Sequence, residues 1–161
     1  MLNIIWIFLW QFEYLILSVV LMFLLLATLI SIYLRLNIGK SSASIREKLA
    51  VHVPFSVYLG WITIASIANL AVTLVSINWN GFGVSADTWA ALVVIVALAI
   101  TLLVVATRKD AAYTLVIIWA LAGIAVKQSG NQTIVMLTET SAIIVAIALA
   151  AAILLTKLRQ R

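Results

Sequence analysis

Five stretches with at most one charged residue dominate this chain: residues 14–34, 53–77, 88–106, 111–126 and 134–156, the last interrupted only by Glu139. About 30 Å of hydrocarbon is crossed by roughly 17 to 25 apolar residues in a helix. The fourth run, at 16 residues, is the short one. All five are expected to be helices, because an open strand in lipid leaves backbone N–H and C=O groups without partners. A β-barrel is excluded by the pattern, since the apolar residues run continuously and do not alternate. Composition agrees: 66% of the residues are hydrophobic and 9% charged, against about half and a quarter in a soluble domain. The fold class predicted is all-α, a polytopic membrane helical bundle with five transmembrane helices plus an N-terminal half-span, in a single membrane domain over residues 1–161.

The loops supply the orientation. Arg35, Lys40, Arg46 and Lys48 follow the first span, Arg108 and Lys109 the third, and Lys157, Arg159 and Arg161 end the chain, so nine of the ten basic residues share one side. Only Lys127 lies on the other. By the positive-inside rule the C-terminus is cytoplasmic and the residues before Tyr14 lie outside, in a multi-pass protein of the cell (inner or plasma) membrane. The net charge of +5 is therefore topogenic, with the lipid bilayer as its partner and no nucleic acid. Ser85 and Asp87 read as the cap and acidic first turn of the third span. Trp79, Phe82 and Trp89 read as outer interfacial anchors, and Tyr33 and Tyr113 as inner ones. Gly39 is expected to end the first span, and residues 41–50 form either a surface amphipathic turn or a plain loop.

Residues 2–10 are apolar but rise only about 13 Å as a helix. No basic region precedes them and no small-residue cleavage site follows, so they are not a signal peptide. Either they lie along the outer interface, or they are the end of a membrane helix. The second case leaves the Met1 amine near the bilayer centre, at a cost of several kcal/mol, and suggests a truncated reading frame.

Inside the second span Ser56 and Thr63, Ser66 and Thr73, and Asn69 and Ser76 form pairs seven residues apart, two turns of helix each. Pro54 is harmless in the first turn, and Gly60 makes a notch beside Trp61. One reading has the hydroxyls bonding their own backbone and Asn69 joining helices. The other has this face lining a cavity for a flat amphipathic ligand, with Trp61 stacking and Asn69 hydrogen-bonding.

Asn3-Ile-Ile-Trp6 through Trp10, the helix from Tyr14 to Arg35, and Val53-Pro-Phe-Ser-Val-Tyr-Leu-Gly-Trp61 running to Asn69 carry a resemblance to the TspO/translocator-protein family, the tryptophan-rich sensory proteins. In that comparison residues 1–12 resemble the end of the family's third helix, 14–34 its fourth and 53–77 its fifth. Residues 1–77 are then the TspO-like part, and 78–161 hold additional transmembrane helices, as in longer bacterial-type relatives. The family's first two helices and its Pro-rich loop have no counterpart. The resemblance implies a membrane receptor that binds or senses a hydrophobic ligand of porphyrin (tetrapyrrole or haem) type, with no covalent cofactor. Trp6, Trp10, Trp61 and Asn69 are the pocket candidates it implies. A non-catalytic assembly subunit, binding copies of itself or another membrane protein, is the alternative.

Three further features remain. Glu139 is the one acid within a span, a functional candidate by default. If its helix starts near Met136 it lies at headgroup level; otherwise it contacts Lys127 or Asn131, or serves a small transporter, the second alternative. His52 reads as a solvated interfacial residue, with a pH-sensitive gate as the other choice. Leu29 to Arg35 fits a short pattern proposed for cholesterol contact, which often arises by chance. With no Cys, one His and scattered acids, no metal site is expected. No nucleophile, phosphate loop or carboxylate pair suggests an enzyme.

Overall fold

The computed structural model describes residues 1–159; Arg161, counted above among the basic residues, lies outside them. In chain order the helices are α1 (Leu2–Gln11), α2 (Leu15–Arg35), the short α3 (Ile45–Glu47), α4 (Val53–Ser76), α5 (Ala86–Arg108), α6 (Ala111–Lys127) and α7 (Gln132–Arg159). Leu15–Arg35, Ile45–Ser76, Ala86–Arg108 and Gln132–Leu158 are long and apolar enough to cross a membrane. At 17 residues, α6 rises about 25 Å, and α1, at 10 residues, about 15 Å. The architecture is a membrane helical bundle in which four helices are long enough to cross, where five spans were expected, with α1 and α6 as shorter apolar helices packed among them.

Helix boundaries follow local chemistry. The Ser85 side chain accepts from Thr88 N at 3.2 Å and so caps α5 as expected. Asp110 and Asn131 cap α6 and α7 in the same way, accepting from Tyr113 N and Ile134 N. The connector at 41–50 is neither loop nor isolated turn over its second half. From Ser44, which caps α3, the chain is helical and passes through a π-helical turn, Lys48–His52, into α4. Gly39 stands in the turn beyond the end of α2 rather than at it. Its φ of +82° and the closeness of the Arg108 carbonyl both exclude a side chain there.

The packed faces are single stripes. Ser18, Met22, Leu25, Leu29 and Tyr33 are the buried residues of α2, and Val94, Ala97, Thr101 and Val105 those of α5. On α7, Ile134, Thr138, Ser141, Val145 and Leu149 are buried. Spacings of three and four put each set on one face. Small and hydroxyl-bearing residues recur in these stripes because lipid is as apolar as Leu. Close approach and hydrogen bonding therefore hold the helices together better than apolar bulk does. The order of contact is α1 on α2, α2 on α4, α4 on α6, α6 on α7 and α7 on α5. Helix α6, not the sequence neighbour α5, lies along α4. Gly60 is where they meet, since a Cβ there would stand 3.1 Å from both Tyr113 O and Val116 Cβ.

At the basic end of the bundle the acid between the third and fourth apolar runs ties three helices together. Asp110 is 7% exposed. Its Oδ2 accepts from Tyr33 Oη at 2.9 Å and Ser56 Oγ at 2.6 Å, while its Oδ1 accepts from Tyr113 N at 3.2 Å. Arg108 Nη1 donates to Asn37 Oδ1 and the Ile38 carbonyl, both at 3.2 Å, with its guanidinium 5.7 Å from the Tyr33 ring centroid. Tyr33 and Tyr113 are thus buried, not interfacial: Asp110 gives the Tyr33 hydroxyl an acceptor and ties the start of α6 to α2 and α4. The same burial removes Tyr33 from any sterol-contact pattern on the lipid face. His52 is buried as well, which corrects its reading as a solvated residue: the helix continues backwards through it, so it lies inside a turn and not at a frayed start.

Candidate functional site

Helix α4 carries most of the candidate residues, and its periodicity decides where they go. Ser56, Leu59, Ile62, Ser66, Asn69 and Thr73 are buried along it, a seam turned toward α2 and α6. The hydroxyls largely satisfy themselves. Thr63 Oγ1 donates to Leu59 O, Ser66 Oγ to Ile62 O, Thr73 Oγ1 to Asn69 O and Ser76 Oγ to Thr73 O, all at 2.7–2.9 Å. Ser56 is the exception, through Asp110. The polar line is thus a packing seam for most of its length, as back-bonded hydroxyls in membrane helices commonly are.

Asn69 is the residue left incomplete. Ser18 Oγ lies 3.0 Å from Asn69 Oδ1 and 2.7 Å from Leu15 O, and has one proton for both. Asn69 Nδ2 is buried without a partner. Turning the amide over pairs the nitrogen with the serine oxygen but strands Oδ1 instead, so one polar atom stays open in either orientation. One turn outward from Ser18 and Thr73, Glu13, Tyr14, Leu15 and Ser76 line an open hollow of about 600 Å³. Glu13 adopts φ 59° in the tight turn joining α1 to α2.

Trp6 and Trp10 stack on α1 with ring centroids 6.0 Å apart. Trp6 packs against the buried core, and its Nε1 is a second buried donor without a partner. Trp61 is not with them. It is 48% exposed, turned toward α6, and pairs with Trp119 at 5.4 Å and an interplanar angle of 31°. The notch predicted at Gly60 is filled by α6, through the Tyr113 carbonyl and the Val116 side chain. The four candidates therefore divide: Trp6 and Trp10 on α1, Asn69 at the α2–α4 seam, Trp61 on the far side of α4. Trp119 escaped notice because a lone Trp in an apolar run carries no signal of its own.

Glu139 is exposed on α7. Because Asn131 caps that helix, it starts at Gln132 and not near Met136, which puts Glu139 seven residues in, about 10 Å. Asn131 is engaged with Ile134 N and does not meet it. In the α4–α5 loop, at the same end of the bundle as the start of α7, Trp79 packs on Phe82 at 5.3 Å and on Trp89 at 5.1 Å, and Trp89 Nε1 donates to Gly81 O. These are the anchors expected there. No group of three or more His, Cys, Asp or Glu able to hold a metal occurs among the described residues.

A family model described as TSPO-like protein matches residues 1–155, nearly the whole chain. The chain belongs to the TSPO-like protein family. The match extends into α7, beyond the α1, α2 and α4 residues that carried the resemblance. No curated protein matches, and no solved structure does. Membership makes this TSPO-like chain a membrane protein of sensory and binding type.

Proposed function

We propose that this TSPO-like protein binds and senses a hydrophobic ligand of tetrapyrrole type at the α1–α2–α4 face, without catalysis. The observation that carries the reading is that two of the three buried, unpartnered side-chain polar atoms among the described residues, Trp6 Nε1 and Asn69 Nδ2, lie on these helices, the third being Ser41 Oγ in the connector after α2. A buried donor left open costs about 1–3 kcal/mol, a cost that an acceptor-bearing ligand removes. A tetrapyrrole offers an apolar plate for the Trp6–Trp10 stack and ring nitrogens and carboxylates for the open amide. The hollow beside Glu13 and Ser76 supplies an entry from the less basic end. By the charge bias, that end faces outward and the Arg108–Asp110 end faces the cytoplasm.

The test is a titration with protoporphyrin IX, read by tryptophan quenching of the protein in nanodiscs. Trp6→Phe and Asn69→Ala should each weaken binding roughly 5- to 100-fold, the equivalent of one hydrogen bond to a buried group. Absence of quenching, or equal affinity in parent and variants, would sink the proposal. A second reading is favoured by Glu139. An acid on the outside of the bundle, about 10 Å along an apolar helix from its start, calls for a polar neighbour from another helix, as an assembly subunit would provide. A transporter route through this chain alone would not pass it.

A further inference from the structure

The α4–α6 groove takes no part in the site proposed above, and it has a shape of its own. Trp61 and Ile64 form one wall, Trp119, Ala120 and Gly123 the other, and Lys127 stands at one end, around a cleft of about 390 Å³. Its floor is open because Gly123 has no side chain and nothing lies within 4 Å of where a Cβ would be. Trp61 and Trp119 each stand eight residues from the basic-end start of their helix, about 12 Å in. Both are thus near the middle of apolar helices and away from the helix ends where interfacial Trp normally concentrates. From Trp119 to Lys127 is again eight residues, about 12 Å, close to the depth of one hydrocarbon leaflet at half of about 30 Å. Lys127 thus comes out at headgroup level. Among the described residues it is the one Lys or Arg at that end of the bundle.

We infer that this groove is a binding site for a single anionic phospholipid, its acyl chain lying over Gly123 and Ala120 against the two indoles and its phosphate on Lys127. Three observations select that occupant. The stretch of α6 from Trp119 to Lys127 approaches the depth of a leaflet, the lining is apolar and open to the side, and its one charge, Lys127, is positive and stands at the end of that stretch. Bulk lipid would wet the same surface without preference. The built site predicts a preference for anionic headgroups that depends on Lys127 and is felt by Trp61 and Trp119.

The full chain reconstituted in phosphatidylcholine vesicles, with a few mole per cent of phosphatidylglycerol brominated in its acyl chain, tests this. The readout is the tryptophan quenching lost in the double variant Trp61→Phe/Trp119→Phe. Brominated phosphatidylglycerol should quench that component with about fivefold selectivity over brominated phosphatidylcholine, the advantage expected of one basic residue at an anionic surface. The selectivity should vanish in Lys127→Gln, persist in Lys127→Arg, and fall with added salt. Gly123→Leu, which fills the cleft, should abolish the quenching itself. Lys127→Gln alters an exposed residue, so a misfolded Gly123→Leu leaves the test intact. Equal quenching by the two lipids would overturn the inference, as would a preference that survives Lys127→Gln. So would a concentration-dependent dimer lost in Gly123→Leu, which would show a second copy in the groove. Porphyrin affinity should be unchanged in Lys127→Gln, so the two proposals fail separately.

Discussion

Replacing Asp110 by Ala should be the most damaging single change in the chain that leaves its hydrophobicity intact. Three interactions are lost together. The cap on α6, through Tyr113 N, is worth about 1 kcal/mol. Tyr33 Oη and Ser56 Oγ lose their acceptor, and a buried polar group left unpaired costs about 1–3 kcal/mol. Ser56 can recover part of this by turning to a backbone carbonyl one turn back, as its neighbours on α4 do. Tyr33, held between α2 and the Arg108 guanidinium, cannot. The expected loss is about 3–4 kcal/mol. Asn at this position caps as well as Asp and keeps one acceptor oxygen, so Asp110→Asn should cost about half as much. Tyr33→Phe, which removes a donor and leaves the carboxyl its other two partners, should cost about 1 kcal/mol. Reversible unfolding in mixed micelles by SDS titration, followed by far-ultraviolet circular dichroism, measures all three. The ranking carries the argument: an Asp110→Ala loss no larger than that of Tyr33→Phe would mean that the carboxyl does not join α2, α4 and α6.

The remaining predictions use the same assay except where stated. Gly39→Ala should destabilise by about 2 kcal/mol or more, because it combines a left-handed φ with a clash on the Arg108 carbonyl. Gly123→Ala, which meets nothing, should be neutral or stabilising by up to about 1 kcal/mol through helix propensity; a loss there would show that something already fills the groove. Ser85→Ala should cost about 1 kcal/mol through the α5 cap, read equally as faster amide exchange in the first turn. Trp61→Phe and Asn69→Ala should be additive to within about 0.5 kcal/mol, as sites without shared partners are; a larger coupling energy would mean that one cavity joins them.

The apolar helices and the aromatic cluster around Trp79 were legible because each rests on a property that lipid reads directly: apolar length and an amphipathic ring. The contact faces were not. In a soluble helix the buried stripe is the apolar one, but here both faces of α2 are leucine-rich, and what separates the buried Leu25 and Leu29 from the exposed Leu24 is only the position of a neighbour. For the same reason Tyr33 and Tyr113 passed for interfacial residues. A tyrosine near a span's end is an anchor or a buried donor depending on whether an acceptor comes within reach. The acceptor, Asp110, is 77 residues away in sequence from Tyr33. No local pattern marks such a partner.

The division of the candidate site could have been foreseen in part. At about 100° per residue, Trp61 lies roughly 130° from the middle of the seam that runs through Ser56, Leu59, Ile62, Ser66, Asn69 and Thr73. Spacings of seven put the hydroxyl pairs on a shared line, and eight residues separate Trp61 from Asn69, a difference of about 80°. The angle of Trp61 from the middle of the seam, with α4 continuous there, is what turns it away from the face that Asn69 shares with Ser18. What the arithmetic could not supply is what lies opposite each face. Helix α2 brings Ser18 to Asn69, whereas α6 brings Trp119 to Trp61 and Lys127 to the end of the groove they line. A single helix thus serves two surfaces of different chemistry. One is a seam with an unfilled hydrogen-bonding site, and the other is an aromatic cleft open to lipid, which is why the porphyrin and phospholipid readings concern separate residues rather than competing for the same ones.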